Sequence, residues 1–212
     1  MQQILRVTWQ VAPLQCPLIR RHCSRCKTAM PFACSMKFRT NAQKKRLDVW
    51  LIYRCAGCAA TWNLPIHERT AIGHIAPEEF QAIARNDPAL AARYAFDRER
   101  LARHGDHVEE GVGVTVKWLS ISEPSSQPSN VEISIRLALP SRMRLDRLLA
   151  QQLGMGRGQL HALREIGLLA ILPHARNGLG SPIIDGQRIL LTLGQDATSL
   201  HLMAAIRSRT MS

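Results

Sequence analysis

Two Cys-x-x-Cys pairs constrain this chain more than any other feature of its sequence. Cys23 and Cys26 form the first pair, and Cys55 and Cys58 form the second. A tight turn at each pair can aim both sulfurs at one point, so that two turns together supply four thiolates. Four thiolates are the complete tetrahedral shell of a structural zinc ion. The spacing therefore predicts one structural Zn²⁺ per chain, held by these four cysteines.

The segment between the two pairs is expected to be a β-hairpin. Met36–Thr40 and Leu47–Tyr53 are strand candidates, and a polar stretch separates them. A hairpin would carry the second pair back beside the first, which is the geometry of a zinc ribbon. Ile4–Val11 and Thr61–Ile66 are further strand candidates. We therefore expect residues 1–70 to form a β-rich zinc-ribbon domain.

The alternative to a metal site is a pair of redox disulfides, or four unrelated thiols. The chain begins with an alternating segment instead of an apolar signal core, so we expect a cytoplasmic protein, in which thiols stay reduced. Reduced thiols favour a metal site over disulfides. Four thiolates leave no open coordination position, so we expect the zinc to be structural. Cys16 and Cys34 have no neighbouring cysteine, and we interpret them as core or surface thiols.

The chain is strongly basic, and its charge is unevenly distributed. Lys and Arg number 28 against 16 Asp and Glu, which gives a net charge of +12. Residues 1–70 contain 12 basic and 2 acidic residues, residues 71–112 contain 5 and 8, and residues 113–212 contain 11 and 6. Such an excess is typical of proteins with phosphate-rich partners. No stretch approaches the roughly 20 apolar residues of a membrane span, so we expect no membrane partner.

Beyond residue 70 the sequence predicts two further segments. Residues 71–111 are expected to form a helical connector, in which Pro77 suits the first turn of one helix and Asp87 can cap another. Residues 112–212 start with two alternating strands, and we expect residues 113–212 to fold without the ribbon. The expected fold class is α+β, with a zinc ribbon, a short helical middle segment and a small C-terminal α+β module.

The C-terminal module carries two short helices with basic residues. The apolar spacing predicts both, and the second runs from about Gly158 to Ile166. Arg144-Leu145-Asp146 opens the first helix, and Arg157 lies near the start of the second. These features resemble the alpha-L RNA-binding motif found in a ribosomal protein and in pseudouridine synthases. The two alternating strands predict a β-hairpin at the start of residues 112–212, and the resemblance implies an alpha-L RNA-binding-like domain after it.

The match to this motif is incomplete. Gly167 agrees with the glycine that follows the second helix of the family. Gly156, however, stands where the family has a serine, and the Val-Asn-Gly after the first strand of the family is missing. Asp185-Gly186 inverts the Gly-Asp that precedes its last strand. The resemblance therefore rests mainly on the two helices and their arginines.

Four arginines of this module are candidate phosphate-binding residues: Arg144, Arg147, Arg157 and Arg164. Two short helices at an angle would place them on or near one surface. Guanidinium groups bind phosphate oxygens bidentately and tolerate the shape of folded RNA. The alternative is an exposed helix face with ordinary solvating charges.

The stretch FRTNAQKKRLDVWLIYRC, at residues 38–55, is distinctive. Thr61-Trp62-Asn63 and Glu68-Arg69 continue it. With these segments, the chain as a whole resembles an uncharacterised bacterial family, domain-of-unknown-function family 1062. The resemblance implies a bacterial protein and supports the zinc ribbon, and it brings no established activity.

These observations predict a non-enzymatic protein that binds structured RNA or a ribosomal surface through both ends of the chain. Lys44, Lys45 and Arg46 in the ribbon hairpin are candidates for a second nucleic-acid contact. The sequence contains no nucleophile-elbow, zinc-protease, P-loop or Rossmann signature, so we expect no catalytic residues.

Two other classes of function stay open. The first is a DNA-binding transcriptional regulator that uses the ribbon, because only the C-terminal resemblance favours RNA over DNA. The second is a protein-interaction adaptor with a purely structural zinc site, which would dock through a cluster of Trp9, Trp50 and Trp62. Such tryptophans more often form the core of a small zinc domain than an interface. The sequence leaves the oligomeric state open.

Overall fold

The computed structural model shows an α+β protein, with ten β-strands and five α-helices in its described residues. The described residues are 4–104, 107–111, 113–122, 128–173, 178–194, 200, 203–204 and 206. The chain divides into two compact units, which we call the split unit (Met1–Pro13 with Gly113–Ser212) and the cysteine unit (Leu14–Val112). None of the helices described is long and apolar enough to cross a membrane.

The elements are numbered in chain order. The strands are β1 (Ile4–Pro13), β2 (Leu18–Cys23), β3 (Thr28–Gln43), β4 (Arg46–Cys55), β5 (Thr61–Ala71), β6 (His107–Glu109), β7 (Val114–Ser122), β8 (Asn130–Leu137), β9 (Leu169–Leu172) and β10 (Arg188–Thr192). The helices are α1 (Pro77–Ala84), α2 (Pro88–Ala95), α3 (Arg98–His104), α4 (Leu145–Leu153) and α5 (Arg157–Glu165). Short 3-10 turns are formed by Ile72–His74 and Gly178–Gly180.

The split unit is built on a five-stranded sheet in the order β7-β1-β8-β10-β9. β1 runs antiparallel to β7 and parallel to β8, so it lies in the interior of the sheet. One face of β1 is buried, and its Val7, Trp9 and Val11 belong to the same core as the leucines of α4. The ring centroids of Trp9 and Trp118 are 4.9 Å apart.

β1 lies outside the domain in which we predicted it. The predicted domains are residues 1–70, 71–111 and 112–212. We expected residues 4–11 in the ribbon domain, but the structure pairs them with strands from the C-terminal half of the chain. The alternation of a strand shows which face it buries and does not show its partner strands. Residues 113–212 therefore lack one interior strand of their own sheet. β7 and β8 do not pair as the expected β-hairpin, because β1 lies between them.

Both predicted C-terminal helices are present as α4 and α5. Four leucines of α4 are fully buried: Leu145, Leu148, Leu149 and Leu153. Gly154 ends α4 in the left-handed conformation, with a φ of 66°. α5 begins one residue earlier than predicted, at Arg157, and its Leu160 belongs to the same core. The helix pair is therefore anchored to the split unit by its apolar faces.

The cysteine unit is built on a second five-stranded sheet, in the order β5-β4-β3-β2-β6. The hairpin expected between the cysteine pairs is β3–β4, and it is longer than expected, because β3 spans 16 residues. Lys44 (φ 49°) and Lys45 (φ 61°) form its two-residue turn. Two consecutive positive φ values are typical of a type I′ turn, which matches the twist of the flanking strands.

The three helices of residues 71–111 belong to the core of the cysteine unit. Ile83 of α1, Leu90 of α2 and Leu101 of α3 are buried in one cluster with the strands. Asp87 caps α2 as predicted, because its carboxylate accepts a hydrogen bond from the Leu90 N–H at 2.9 Å. This segment therefore packs on the second sheet instead of forming a separate connector.

Candidate metal centre and basic surfaces

The two Cys-x-x-Cys pairs lie in turns with the same backbone geometry. The Lys27 N–H donates to the Cys23 carbonyl oxygen at 2.8 Å, and the Ala59 N–H donates to that of Cys55 at 2.9 Å. Lys27 (φ 60°) and Ala59 (φ 57°) both adopt the left-handed conformation. Because β3 pairs with β2 on one side and with β4 on the other, the ends of β2 and β4 bring the two turns together.

The four sulfurs form one compact cluster. The Cys23 and Cys58 sulfurs are 3.5 Å apart. The Cys26 and Cys55 sulfurs are 3.8 Å apart, and all four sulfurs lie within 4.8 Å of one another. A tetrahedral ion with metal–sulfur bonds of about 2.3 Å would separate its sulfurs by roughly 3.8 Å. The four cysteines singled out by their spacing are therefore close enough to hold a metal ion.

The thiols of this cluster do not ionise equally. The pKa of Cys23 is lowered to about 6, mainly because its sulfur accepts a hydrogen bond from the Cys26 backbone N–H. The contact with the Cys58 thiol, together with desolvation, raises the pKa of Cys26 to about 12. The surroundings therefore favour the thiolate form of Cys23 over that of Cys26. A bound cation would remove this imbalance, because its charge stabilises every thiolate that it contacts.

Close packing around the sulfurs links the two turns. A Cβ atom at Gly57 would lie 2.7 Å from the Met30 Cε and 3.4 Å from the Cys26 sulfur. The Arg25 guanidinium of the first turn donates a hydrogen bond to the Cys58 carbonyl oxygen of the second turn at 3.2 Å. Part of the geometry of the cluster is thus set by contacts that involve no metal.

The structure brings two of the four predicted arginines to one short turn. The guanidinium of Arg164 lies against Gly178, where a Cβ atom would be 1.7 Å from its Nη1. The Nη2 of Arg144 is 3.4 Å from the corresponding position at Gly180. Both arginines are exposed, and both flank the 3-10 turn Gly178–Gly180. We call this pair with Arg147 and Arg157 the arginine surface.

Arg144 is held in place by a buried carboxylate. Its Nε and Nη2 donate to the two oxygens of Asp146 at 3.1 and 2.7 Å. Asp146 is only 2% exposed, and it also accepts a hydrogen bond from the Arg147 backbone N–H at 2.7 Å. Removal of Arg144 would leave a buried charge unpaired, which is strongly destabilising. Arg144 of the Arg-Leu-Asp sequence therefore stabilises the fold and is also a candidate phosphate-binding residue.

Arg147 and Arg157 complete the set of four predicted arginines. Arg147 lies on α4, and Arg157 is the first residue of α5. Both are exposed, and neither side chain forms a hydrogen bond or ion pair within the described part of the chain. The arginine surface thus contains one ion-paired arginine, one packed against a turn and two that are free to contact a ligand.

The second basic region lies at the tip of the β3–β4 hairpin, in the cysteine unit. Lys44 and Lys45 form the turn, and Arg46 donates a hydrogen bond to the Arg69 carbonyl oxygen at 2.8 Å. The Arg69 N–H in turn donates to the Asp48 carboxylate at 2.7 Å. A cavity of about 270 Å³ is lined by Gln43, Lys44, Arg46, Asp48 and Arg69. Each unit therefore carries one of the two predicted basic regions.

The tryptophans of the adaptor hypothesis are divided between the two units, because Trp9 lies on β1 of the split unit and Trp50 and Trp62 lie on β4 and β5 of the cysteine unit. Trp9 is buried in the core of the split unit beside Trp118. Trp62 packs in the cysteine unit, with its ring 5.3 Å from that of Tyr53 and 4.3 Å from the Arg21 guanidinium. Alternation along a strand cannot reveal this separation, because it does not identify the sheet to which the strand belongs.

Sequence reasoning missed a half-buried polar cluster in the cysteine unit. The Glu79 carboxylate of α1 accepts a hydrogen bond from the Tyr94 hydroxyl of α2 and contacts His67 Nε2 of β5 at 2.8 Å. Burial acts to raise the pKa of Glu79, but the hydrogen bonds from Tyr94 and His67 outweigh it and lower the pKa. These residues lie on three different elements, so no local motif could indicate the cluster.

Comparison with known proteins places the chain in one family. No curated protein and no solved structure matches the chain. One family model, described as "Protein of unknown function (DUF1062)", matches residues 40–174. This range contains the second cysteine pair, the hairpin tip and the arginine surface, whereas the first cysteine pair precedes it. Because the match covers more than half of the 212 residues, the chain belongs to the DUF1062 family.

Proposed function

We propose that this protein is a non-enzymatic zinc-binding protein of the bacterial cytoplasm that binds structured RNA or a ribosomal surface. The observation that carries the proposal is the arginine surface, where Arg144 and Arg164 converge on one turn. Arg147 and Arg157 add two exposed charges on the same helix pair. Several guanidinium groups on one small surface are suited to the phosphates of a folded RNA backbone.

Net charge alone does not favour either unit. The split unit has 12 Lys and Arg against 6 Asp and Glu, and the cysteine unit has 16 against 10, so each carries +6. The placement of the charges supports the split unit as the binding region. Arg147, Arg157 and Arg164 lie on two helices that contact each other, and Arg144 directly precedes the first of them. The hairpin tip offers a shorter basic segment beside Asp48.

The Arg144 ion pair would prepare this residue for a phosphate. Asp146 occupies the Nε and Nη2 of Arg144 and fixes the plane of the guanidinium. Nη1 forms no hydrogen bond among the described residues, so it can still donate to a ligand. A donor that is already oriented loses less entropy on binding. We expect Arg144 and Arg164 to orient the RNA, and the two free arginines to strengthen binding.

For the four-cysteine cluster we propose zinc. The sulfur separations of 3.5 and 3.8 Å suit a tetrahedral ion, and zinc with four thiolates is the common structural centre of this ligand set. Four protein ligands fill the coordination shell. The ion would therefore hold the two turns of a zinc ribbon together and would contact no substrate.

A DNA-binding regulator is the second candidate, and one observation favours it. The hairpin tip of the cysteine unit places Lys44, Arg46 and Arg69 around a cavity of about 270 Å³. If this region binds DNA, reversal of the charges at the tip would abolish binding and changes on the arginine surface would not. The adaptor hypothesis has less support, since Trp9 and Trp62 belong to separate cores.

The first prediction concerns Arg147 and Arg157, whose side chains form no hydrogen bond or ion pair in the described part of the chain. We expect the Arg147→Glu/Arg157→Glu variant to bind a fluorescent RNA hairpin at least tenfold more weakly than the wild type, which is about 1.4 kcal/mol. The affinity of the wild type should fall steeply with salt, with a slope of roughly 0.7–0.9 per phosphate contact, and the slope of the variant should be smaller. Fluorescence anisotropy over a salt series measures both. Arg144 is left unchanged because Asp146 depends on it.

The matched control is Lys117→Glu/Arg136→Glu. It changes the net charge of the split unit by the same amount, at exposed positions of β7 and β8. We expect a much smaller loss of affinity. Equal RNA affinity in the two folded double variants would rule out the arginine surface as the binding site. Preferential binding to duplex DNA, lost only in Lys44→Glu/Lys45→Glu, would favour the regulator.

A further inference from the structure

Three sulfur atoms of the cysteine unit converge outside the four-cysteine cluster. The Cys16 sulfur is 3.9 Å from the Met36 Sδ, and the Cys34 sulfur is 3.7 Å from it. Cys16 precedes β2, whereas Cys34 and Met36 lie in the middle of β3. All three side chains are half-buried. Cys16 and Cys34, which the sequence suggested to be core or surface thiols, pack against the core of the cysteine unit and share one neighbour, Met36.

The backbone of β3 is distorted at Met36. The register between β3 and β4 shifts between Cys34 and Phe38. Within this bulge Met36 has a φ of 58°, in the left-handed region that side chains of its size rarely adopt. Bulges re-aim side chains, and strain of this kind persists where it serves a site. Here the distortion accompanies the approach of the thioether to two thiols.

Tyr53 supplies an unpaired donor beside the same thiols. It is directly opposite Cys34 in the β3–β4 ladder and is fully buried. Its hydroxyl has no hydrogen-bond partner among the residues that the structure describes. A buried hydroxyl without a partner is a donor that is available to a sulfur that becomes a thiolate.

We propose that Cys16, Cys34 and Met36 form a second metal site, which binds one monovalent copper ion. Two thiolates and a thioether are soft ligands, and this softness selects Cu(I). Zinc sites, in contrast, use thiolate, imidazole or carboxylate ligands and take four of them. Metal–sulfur bonds of about 2.2–2.3 Å in a trigonal plane would separate the sulfurs by roughly 3.8–4.0 Å. The separations of 3.7 and 3.9 Å are close to this value.

Binding exchanges protons for copper and involves no electron transfer. Cu(I) displaces the thiol protons of Cys16 and Cys34 to solvent, forms two copper–thiolate bonds and takes the Met36 thioether as its third ligand. The occupied site carries one net negative charge. The Tyr53 hydroxyl can stabilise this charge by donating a hydrogen bond to a thiolate. The site is independent of the zinc cluster and goes beyond the proposed RNA binding.

The test is a titration of the zinc-loaded full chain with Cu(I), under anaerobic conditions and in competition with a chromogenic copper chelator. We expect the wild type to take up one copper per chain without losing zinc, and Cys16→Ser/Cys34→Ser to take up none. Met36→Leu should weaken binding by roughly tenfold or more, since the loss of even an outer-shell partner of a metal site costs about 10–100-fold. Met143→Leu, at a half-buried methionine of the split unit, is the matched control and should bind like the wild type. X-ray absorption should show a shell of sulfur alone.

Several results would overturn the proposal. Copper uptake that releases zinc would place the ion in the four-cysteine cluster. Equal affinities of wild type and Met36→Leu would exclude the thioether as a ligand. Failure of the reduced wild type to bind copper, with a Cys16–Cys34 disulfide formed in air, would make the two thiols a redox pair. Since Met36→Leu keeps both thiols, it remains informative if the double serine variant fails to fold.

Discussion

Glu79 joins three elements of the cysteine unit through one half-buried carboxylate. It lies on α1 and contacts Tyr94 of α2 and His67 of β5. These hydrogen bonds lower its pKa in the folded protein. A folded-state pKa below the unfolded-state value means that the ionised carboxylate stabilises the fold. The cluster therefore ties two helices to the sheet through a charge, and this contribution depends on pH.

We predict that Glu79→Gln lowers the free energy of unfolding by about 1–3 kcal/mol near pH 7. The unfolded-state pKa is 4.5, and the folded-state pKa is lower. The stabilisation is therefore fully present above the unfolded-state pKa and is lost as the pH falls through the folded-state pKa. Urea unfolding at several pH values, from neutral to acidic, measures the difference between variant and wild type.

Glu78→Gln is the control for this prediction, because Glu78 is the exposed neighbour on the same helix. A surface substitution of this kind should change stability by less than about 0.5 kcal/mol. Equal losses in the two variants, or a loss at Glu79 that does not change with pH, would contradict the assignment.

At the scale of elements, the cysteine unit depends on the two turns that hold Cys23, Cys26, Cys55 and Cys58. Their sulfurs lie within 4.8 Å of one another because β3 pairs with both β2 and β4. The free energy of zinc binding to such a set is about 10–16 kcal/mol. The stability of a whole domain is about 5–15 kcal/mol. A bound zinc would therefore contribute as much as the rest of the unit.

We predict about one zinc per chain in the purified protein, and none in Cys55→Ser/Cys58→Ser. Loss of the metal should unfold the region of β2, β3 and β4, with a loss of β-structure in circular dichroism. Elemental analysis measures the metal directly. Cys16→Ser, which lies outside the cluster, should retain zinc. Absence of zinc from the wild type, or its retention in the double variant, would refute the zinc proposal.

The cysteine spacing predicts the candidate ligands, because both turns are local in sequence. Periodicity also predicts α4 and α5, whose leucines recur at helical spacing. It underestimates β3, because the bulge at Met36 breaks the alternation of that strand. α2 and α3 are separate helices, and Asp97 caps α3 by accepting a hydrogen bond from the Arg100 N–H at 3.0 Å. Hydrophobic periodicity cannot indicate where the backbone is irregular, as at the bulge in β3.

At the scale of the whole molecule, the sequence of the cysteine unit is inserted between β1 and β7, which form an antiparallel pair. Pro13 pairs with Val114, so the ends of the two strands are adjacent. The alternation of β1 predicts a strand, but its partners lie more than 100 positions further along the sequence. Pairing at such separation depends on the tertiary fold and leaves no local pattern. For this reason the predicted boundary at residue 70 assigned β1 to the ribbon domain.

We predict that residues 113–212 alone do not unfold cooperatively. They lack β1, whose Val7, Trp9 and Val11 are almost fully buried. Each such side chain contributes roughly 1.5–3 kcal/mol, so their sum is comparable with the stability of a domain, about 5–15 kcal/mol. A variant in which a short Gly-Ser turn replaces residues 14–112 should restore a cooperative transition in thermal unfolding. Cooperative unfolding of residues 113–212 without β1 would show that the strand is dispensable.

The central claim is that this chain binds structured RNA through the arginine surface. Crosslinking in bacterial cells, followed by sequencing of the nucleic acid bound to the tagged protein, tests this claim most directly. We predict structured RNA bound to the wild type and to Lys117→Glu/Arg136→Glu, and a strong reduction for Arg147→Glu/Arg157→Glu. Recovery of DNA instead of RNA, or equal RNA recovery from all three proteins, would contradict the claim.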